Sequence, residues 1–223
     1  MSKDMLGPLT RALVGVPAKM LGLVLDITNR LGSADSDTFY SDLAKFVREW
    51  KKAVAVIPSL LEFVRTTTAP DTSEPFIANA KFKLKKDGGI CSYLGDNFNA
   101  WFLAGTGNID APGGETTLTI SRLTKASVDQ PILDELGDKT DVALVDMFAK
   151  MEAQSKGQPG ELLVDGRVNI FYVRDQDGVL RPVYVHWLGD GWCVNACSTD
   201  CTAHWYAAYQ VFSRNSALTY SAP

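Results

Sequence analysis

Apolar residues recur at spacings of three or four through Leu9, Leu13, Val16, Met20, Val24, Ile27 and Leu31, the period that draws one stripe along a helix. Pro8 suits a first helical turn, whereas Pro17 predicts a kink, because an interior proline removes a backbone donor and clashes with the preceding turn. Gly32-Ser33 ends this element, and Ser36 or Asp37 is placed to cap the next. A second stripe, Phe39, Leu43, Phe46, Val47, Trp50, Val54, Ile57, Leu61 and Val64, predicts another helix. Two stripes with a short connection predict an N-terminal antiparallel helical hairpin over residues 1–67, each stripe burying the other.

Thr66 to Glu74 is polar, contains Pro70 and has no period, so a linker is expected at residues 68–75. The period then changes to two. Ala78, Ala80, Phe82 and Leu84 alternate with Asn79, Lys81, Lys83 and Lys85, predicting a strand with one apolar and one basic face. Asp87-Gly88-Gly89 would turn it into a second strand through Ile90, Ser92 and Leu94. Further strands are expected at 99–103 and 116–123. A short helical insertion is expected near 129–155, with Val142, Val145, Phe148 and Ala149 on one side of its longer helix.

From Glu161 onward the strand pattern is strongest. Segments 168–174, 179–187, 192–196 and 204–212, separated by Asp175-Gln176-Asp177-Gly178, Gly189-Asp190-Gly191 and a polar loop, predict a meander of four antiparallel strands. The expected class is therefore α+β: the helical hairpin, then a mainly antiparallel sheet domain over residues 76–223 with the helical insertion.

Composition narrows the function classes without choosing one. The chain has 223 residues, 46% hydrophobic and 22% charged, which supports a self-sufficient core without disulfide or metal staples. Its formal charge of −4 is the wrong sign for a protein that wraps nucleic acid. Residues 1–67 hold nine basic and seven acidic side chains, so they carry +2 and the remainder −6. No apolar run approaches the ~20 residues a spanning helix needs, and the N-terminus lacks a signal-peptide plan, so a cytoplasmic location is expected.

The densest chemistry is Cys193, Cys197, Cys201 and His204. Thiolates and an imidazole are what zinc prefers, and four such ligands would close a tetrahedral site. Structural zinc usually joins two close pairs on separate turns, however, and here all four fall within one short stretch, so simple thiols are the favoured reading. A Cys197–Cys201 disulfide would need an oxidising compartment. A cysteine nucleophile would need His204 or His186 as its base, and these are the two histidines of the chain.

Asp165, Asp175, Asp177 and Asp190 neighbour glycines or turns, which hairpin chemistry explains. No phosphate-binding loop of the Gly-x-x-x-x-Gly-Lys type, no Gly-x-Ser-x-Gly and no His-Glu-x-x-His occurs. The lysines at 81, 83, 85 and 86 read as a solvated face that blocks edge pairing rather than a nucleic-acid surface.

The stretch from Leu163 to Trp192, with Val-Asp-Gly-Arg-Val-Asn-Ile-Phe-Tyr-Val-Arg-Asp-Gln-Asp-Gly at its centre, resembles the terminal β part of uncharacterised proteins from bacteria with small genomes. That resemblance implies a bacterial cytoplasmic setting and no catalytic residues. The expectation from sequence is a non-catalytic interaction or assembly protein, with a protein partner or a second copy engaged through residues 1–67. A zinc-supported module or thiol-dependent enzyme at Cys193 to His204 is the alternative.

Overall fold

The computed structural model describes residues 59–201 and 204–215, together with residues 29, 37–45 and 48. The chain divides into two compact units, Met1–Pro58 and Ser59–Pro223. In the first, residues 37–45 are helical. The second is built on a seven-stranded mixed sheet.

Its strands are β1 (Leu61–Ala69), β3 (Cys91–Leu94), β5 (Thr116–Leu123), β6 (Asn169–Arg174), β7 (Leu180–Leu188), β8 (Gly191–Ala196) and β9 (Gln210–Arg214), in the order β1-β5-β9-β6-β7-β8-β3. Strands β6 and β9 run parallel, as do β3 and β8, and the other neighbours are antiparallel. The short strands β2 (Phe76–Ile77) and β4 (Ile109–Asp110) pair separately. Two helices pack on the sheet, α1 (Asp129–Leu136) and α2 (Leu144–Ala153), both within the segment expected to be helical.

The burial of β6 explains the layering. Five of its six residues are buried, so it needs cover on both faces. Phe171 and Val173 join Phe212, Val183 and Val194 in the core under α2, where Leu144, Met147 and Met151 pack. Ile170 and Tyr172 turn to the other face and meet Ile132 of α1, Val211 and Trp205. Asn169, fully buried in the same strand, is satisfied: its amide exchanges bonds with the Leu163 backbone at 2.8 and 3.1 Å and donates to the Val185 carbonyl at 3.3 Å.

The sheet corrects the expected mainly antiparallel meander. Strands β6, β7 and β8 do form a meander, with Asp175 organising its first turn by accepting from the Asp177 and Val179 amides at 3.0 and 2.9 Å. The next strand, β9, does not continue it; it crosses back to lie between β5 and β6. The reason is burial, since Gln210 to Ser213 are all buried and an edge position beside β8 would leave one side open. The vacated edge is taken by β3, in parallel.

The expected helical hairpin over residues 1–67 is also corrected. Its first arm lies, apart from residue 29, outside the described residues. Its second arm does not extend to residue 67, because Leu61–Ala69 is a strand paired antiparallel with β5. The helical spacing that Leu61 and Val64 continue ends at the β-branched run Thr66-Thr67-Thr68, which favours a pleated strand. Thr68 and Ala69, placed in the linker by the sequence, complete β1; residues 70–75 then lead to β2.

Two further predicted strands are helical turns. Ala78–Lys81 is one α-turn, and Asp96–Phe98 continues into a wide π-turn at Asn99–Leu103. Buried Ala78 and Phe82 are four apart, as are buried Phe98 and Phe102, and four is a repeat of both the strand and the helix period. Ala80 distinguishes them: a strand would bury it with Phe82, and it is exposed. Among the described residues no helix is long and apolar enough to cross a membrane.

Candidate functional site

Cys193 sits within β8, in register with His186 of β7, and its Sγ contacts Ser92 Oγ at 3.4 Å. Cys197 follows the end of that strand. A strand rises about 3.3 Å per residue, which separates the Cys193 and Cys197 backbones by about 13 Å. Cys201 returns toward Cys197 through a turn in which its amide donates to the Ser198 carbonyl at 3.0 Å. His204 is exposed. The cluster therefore divides into Cys193 beside Ser92 and Cys197 beside Cys201. Among the described residues no group of three or more His, Cys, Asp or Glu is placed to hold a metal ion.

His186 is half-buried, its Nδ1 has no hydrogen-bond partner, and burial pushes its pKa down. Burial also pushes the neighbouring Cys91 thiol up to about 12, with Cys193 adding to the shift. Both effects favour neutral groups, the opposite of an activated thiolate–imidazolium pair.

A different site emerges around the N-terminus of α2. The β2–β4 pairing carries Asp110 to the start of that helix, where Oδ2 accepts from the Val145 amide at 2.8 Å. A carboxylate there satisfies a free amide and faces the positive end of the helix dipole. Burial nevertheless raises the Asp110 pKa, opposed by the Val145 and Leu144 amides and reinforced by Asp141.

Asp146, one residue beyond Val145, is 5% exposed. Burial drives its pKa up to about 6 against the pull of Arg214; Asp110 pushes the same way as burial, and Lys150 opposes it. Both cations are engaged elsewhere. Arg214 Nε donates to the Asp141 carbonyl. Lys150 Nζ donates to Thr67 Oγ1 at 2.6 Å and to the Thr68 carbonyl at 2.5 Å, and pairs with Glu161 at 2.7 Å.

Asp110 and Asp146 face a cavity of about 310 Å3, walled by Thr72, Thr116 and the Gly113-Gly114 backbone. A second cavity of about 310 Å3 adjoins it, sharing Pro70, Thr72 and Val145, and its floor is apolar through Phe76, Phe148 and Ala149. The strap at residues 70–75 forms a wall of both. It is pinned at one point, where Thr72 and Gly113 exchange backbone bonds of 2.9 and 3.2 Å and Thr72 Oγ1 accepts from the Gly113 amide at 3.1 Å. The result is a cleft along α2 with Asp110 and Asp146 at one end and, at the other, an apolar floor bordered by Asp71, Glu74, Lys81 and Glu152.

On the opposite face of the sheet lies a second polar group. Asp129, the first residue of α1, is 1% exposed, and its Oδ1 accepts from Tyr172 Oη at 2.7 Å and Trp205 Nε1 at 2.8 Å. Its Oδ2 is buried without a partner. Burial raises the Asp129 pKa against those two bonds. Nearby, burial pushes Cys197 up to about 12, helped by Asp129 and Cys201.

Sequence reasoning missed Asp110, Asp129 and Asp146. Asp110 carries no local signal, because it acts only once β4 meets α2. Asp146 did leave one: Val142, Asp146 and Lys150 recur every four residues, so whichever side of the helix buries Val142 also buries two charges. The expected apolar side was displaced accordingly, since Leu144, Met147 and Met151 take the core while Val145 and Ala149 are half-buried at the cleft.

Comparison with protein-family models, with curated proteins and with solved structures returns no match for this chain.

Proposed function

We propose that the protein is a non-catalytic interaction protein that binds a short basic segment of a partner polypeptide in the cleft along α2. The observation that carries this reading is the junction of two cavities at Val145, one presenting Asp110 and Asp146, the other Phe76 and Phe148. An arginine or lysine headgroup answers the acidic end, and a neighbouring leucine or phenylalanine answers the apolar end. The carboxylates are better suited to binding than to proton transfer in a reaction, because Asp110 is already committed to the helix terminus. Besides carboxylates, the groups of nucleophilic type that line the two cavities are the hydroxyls of Thr72, Ser73 and Thr116 and the Lys81 amine.

A cationic ligand favours ionised Asp146, so its affinity rises as pH increases through about 6, where that carboxyl releases its proton. Calorimetric titration with acetyl-Leu-Arg-Leu-Lys-amide, against the same peptide with citrulline for arginine and norleucine for lysine, tests the proposal. Binding of the charged peptide alone, weakened at least tenfold by Asp110→Asn or Asp146→Asn, is the expected result. Equal binding of the neutral peptide, or binding untouched by both substitutions, overturns it.

A further inference from the structure

We propose that the Asp110–Asp146 end of the α2 cleft is an arginine-specific subsite, in which the Asp146 carboxylate takes the paired N–H edge of a guanidinium through both of its oxygens. This assignment rests on the reading of the cleft as a peptide-binding site and names the side chain the partner must present.

The two carboxylates that line the cavity differ in what they have left to offer. Asp110 is committed in part to the start of α2, where Oδ2 accepts from the Val145 amide at 2.8 Å. Asp146 is 5% exposed and, among the described residues, its carboxylate accepts no hydrogen bond and joins no ion pair. The two cations whose charge reaches it donate elsewhere, Arg214 to the Asp141 carbonyl and Lys150 to Thr67, Thr68 and Glu161. A buried carboxylate without a donor is costly to retain, and this one lines a cavity of about 310 Å3.

The missing donor is better supplied by a guanidinium than by an ammonium. A guanidinium presents paired N–H groups in one plane, matched to the two oxygens of a carboxylate, and keeps further donors for Asp110 and for the Thr72 and Thr116 hydroxyls on the cavity wall. An ammonium has fewer donors and no paired edge, and it is more strongly hydrated, so it gives up more on entering a buried site. The space suits the same group: the wall at Gly113 and Gly114 carries no side chain, which admits a flat headgroup, and Ile109, Pro70 and Val145 offer apolar contact to the aliphatic stem. A divalent cation is the competing occupant of such oxygens, but among the described residues no third carboxylate, cysteine or histidine joins the pair to hold one.

The test is calorimetric titration of the full chain with acetyl-Leu-Arg-Leu-amide, with the same peptide carrying lysine, and with the same peptide carrying asymmetric dimethylarginine, which keeps the charge and blocks paired hydrogen bonding. The arginine peptide should bind at least about tenfold more tightly than either of the others. Asp146→Asn should bring the arginine-to-lysine ratio to about one, whereas Asp110→Asn should weaken both peptides alike and leave the ratio unchanged. Equal binding of the arginine and lysine peptides overturns the arginine subsite and leaves the peptide-binding reading in place. Binding of none of the three overturns that reading, and the subsite with it. A preference that survives Asp146→Asn, or binding of the dimethylated peptide as tight as that of arginine, overturns the paired contact at Asp146. Saturable binding of calcium or magnesium ions that Asp146→Asn abolishes, with no preference among the peptides, makes this a metal site and overturns the proposal. Circular dichroism reports whether Asp110→Asn folds, and if it does not, the three peptides and Asp146→Asn still decide.

Discussion

Replacing Asp146 by asparagine should stabilise the protein at neutral pH. Asp146 is 5% exposed, and its carboxyl titrates near 6 instead of the ordinary 3.8. A raised carboxyl pKa means the folded state holds a proton that the unfolded chain has already released, so stability falls as pH climbs from about 4 to about 6 and is level above that. Two pH units at about 1.4 kcal/mol each give a deficit of up to about 3 kcal/mol at pH 7.5. That net figure already contains the attraction of Arg214 and Lys150. Neither cation is stranded by the substitution, because Arg214 keeps the Asp141 carbonyl and Lys150 keeps Glu161 and Thr67.

Asparagine has nearly the same shape and no charge to desolvate. Urea unfolding of both proteins at pH 4 and pH 7.5 is the assay. The variant should match the parent at pH 4 and exceed it by about 1–3 kcal/mol at pH 7.5. A variant less stable at pH 7.5, or a difference independent of pH, would refute the assignment of Asp146 as a buried charge retained at the expense of stability. Such retention is what a binding site requires and a purely structural position does not.

Other outcomes follow from single contacts. Tyr172→Phe removes one of the two donors to the buried Asp129 Oδ1 and should lower stability by about 1–3 kcal/mol in chemical denaturation. Gly89→Ala would place a Cβ 2.0 Å from the Lys83 carbonyl oxygen, so the loop joining Lys83 to β3 must shift; a loss of about 1–3 kcal/mol is expected, and an unchanged melting temperature would contradict the contact. Glu135 accepts from the Leu60 and Leu61 amides at 2.9 Å and is held below the ordinary carboxyl range by Ser59, these amides and Lys125 against desolvation. Its contribution is present above the ordinary pKa and is lost as pH falls through the folded one. Glu135→Gln should therefore weaken the start of β1 at pH 7, seen as faster amide exchange at Leu60 and Leu61, and should make little difference in strong acid.

Much of the local structure was legible because single periods sufficed. Strand β5, the β6–β7–β8 meander and the helices at 129–155 follow from spacing and turn residues. Segments whose anchors lie four apart were not legible, since Ala78 with Phe82 and Phe98 with Phe102 satisfy strand and helix alike. Topology was hidden for another reason. Both β6 and β9 are buried on two faces, which fixes them in the middle of the sheet, yet an apolar run does not say which neighbour it will find. The cysteine cluster was conspicuous in sequence and is divided by strand geometry. The aspartates that matter, Asp110, Asp129 and Asp146, come from three different elements and become a pattern only when those elements pack.

The claim that the α2 cleft holds a basic peptide segment is tested most directly by backbone amide shift mapping on titration with acetyl-Leu-Arg-Leu-Lys-amide. Saturable shifts centred on Thr72, Gly113 and Val145, stronger at pH 7.5 than at pH 5, are predicted. Shifts that leave those three amides unmoved, or a response equal at both pH values, would contradict it.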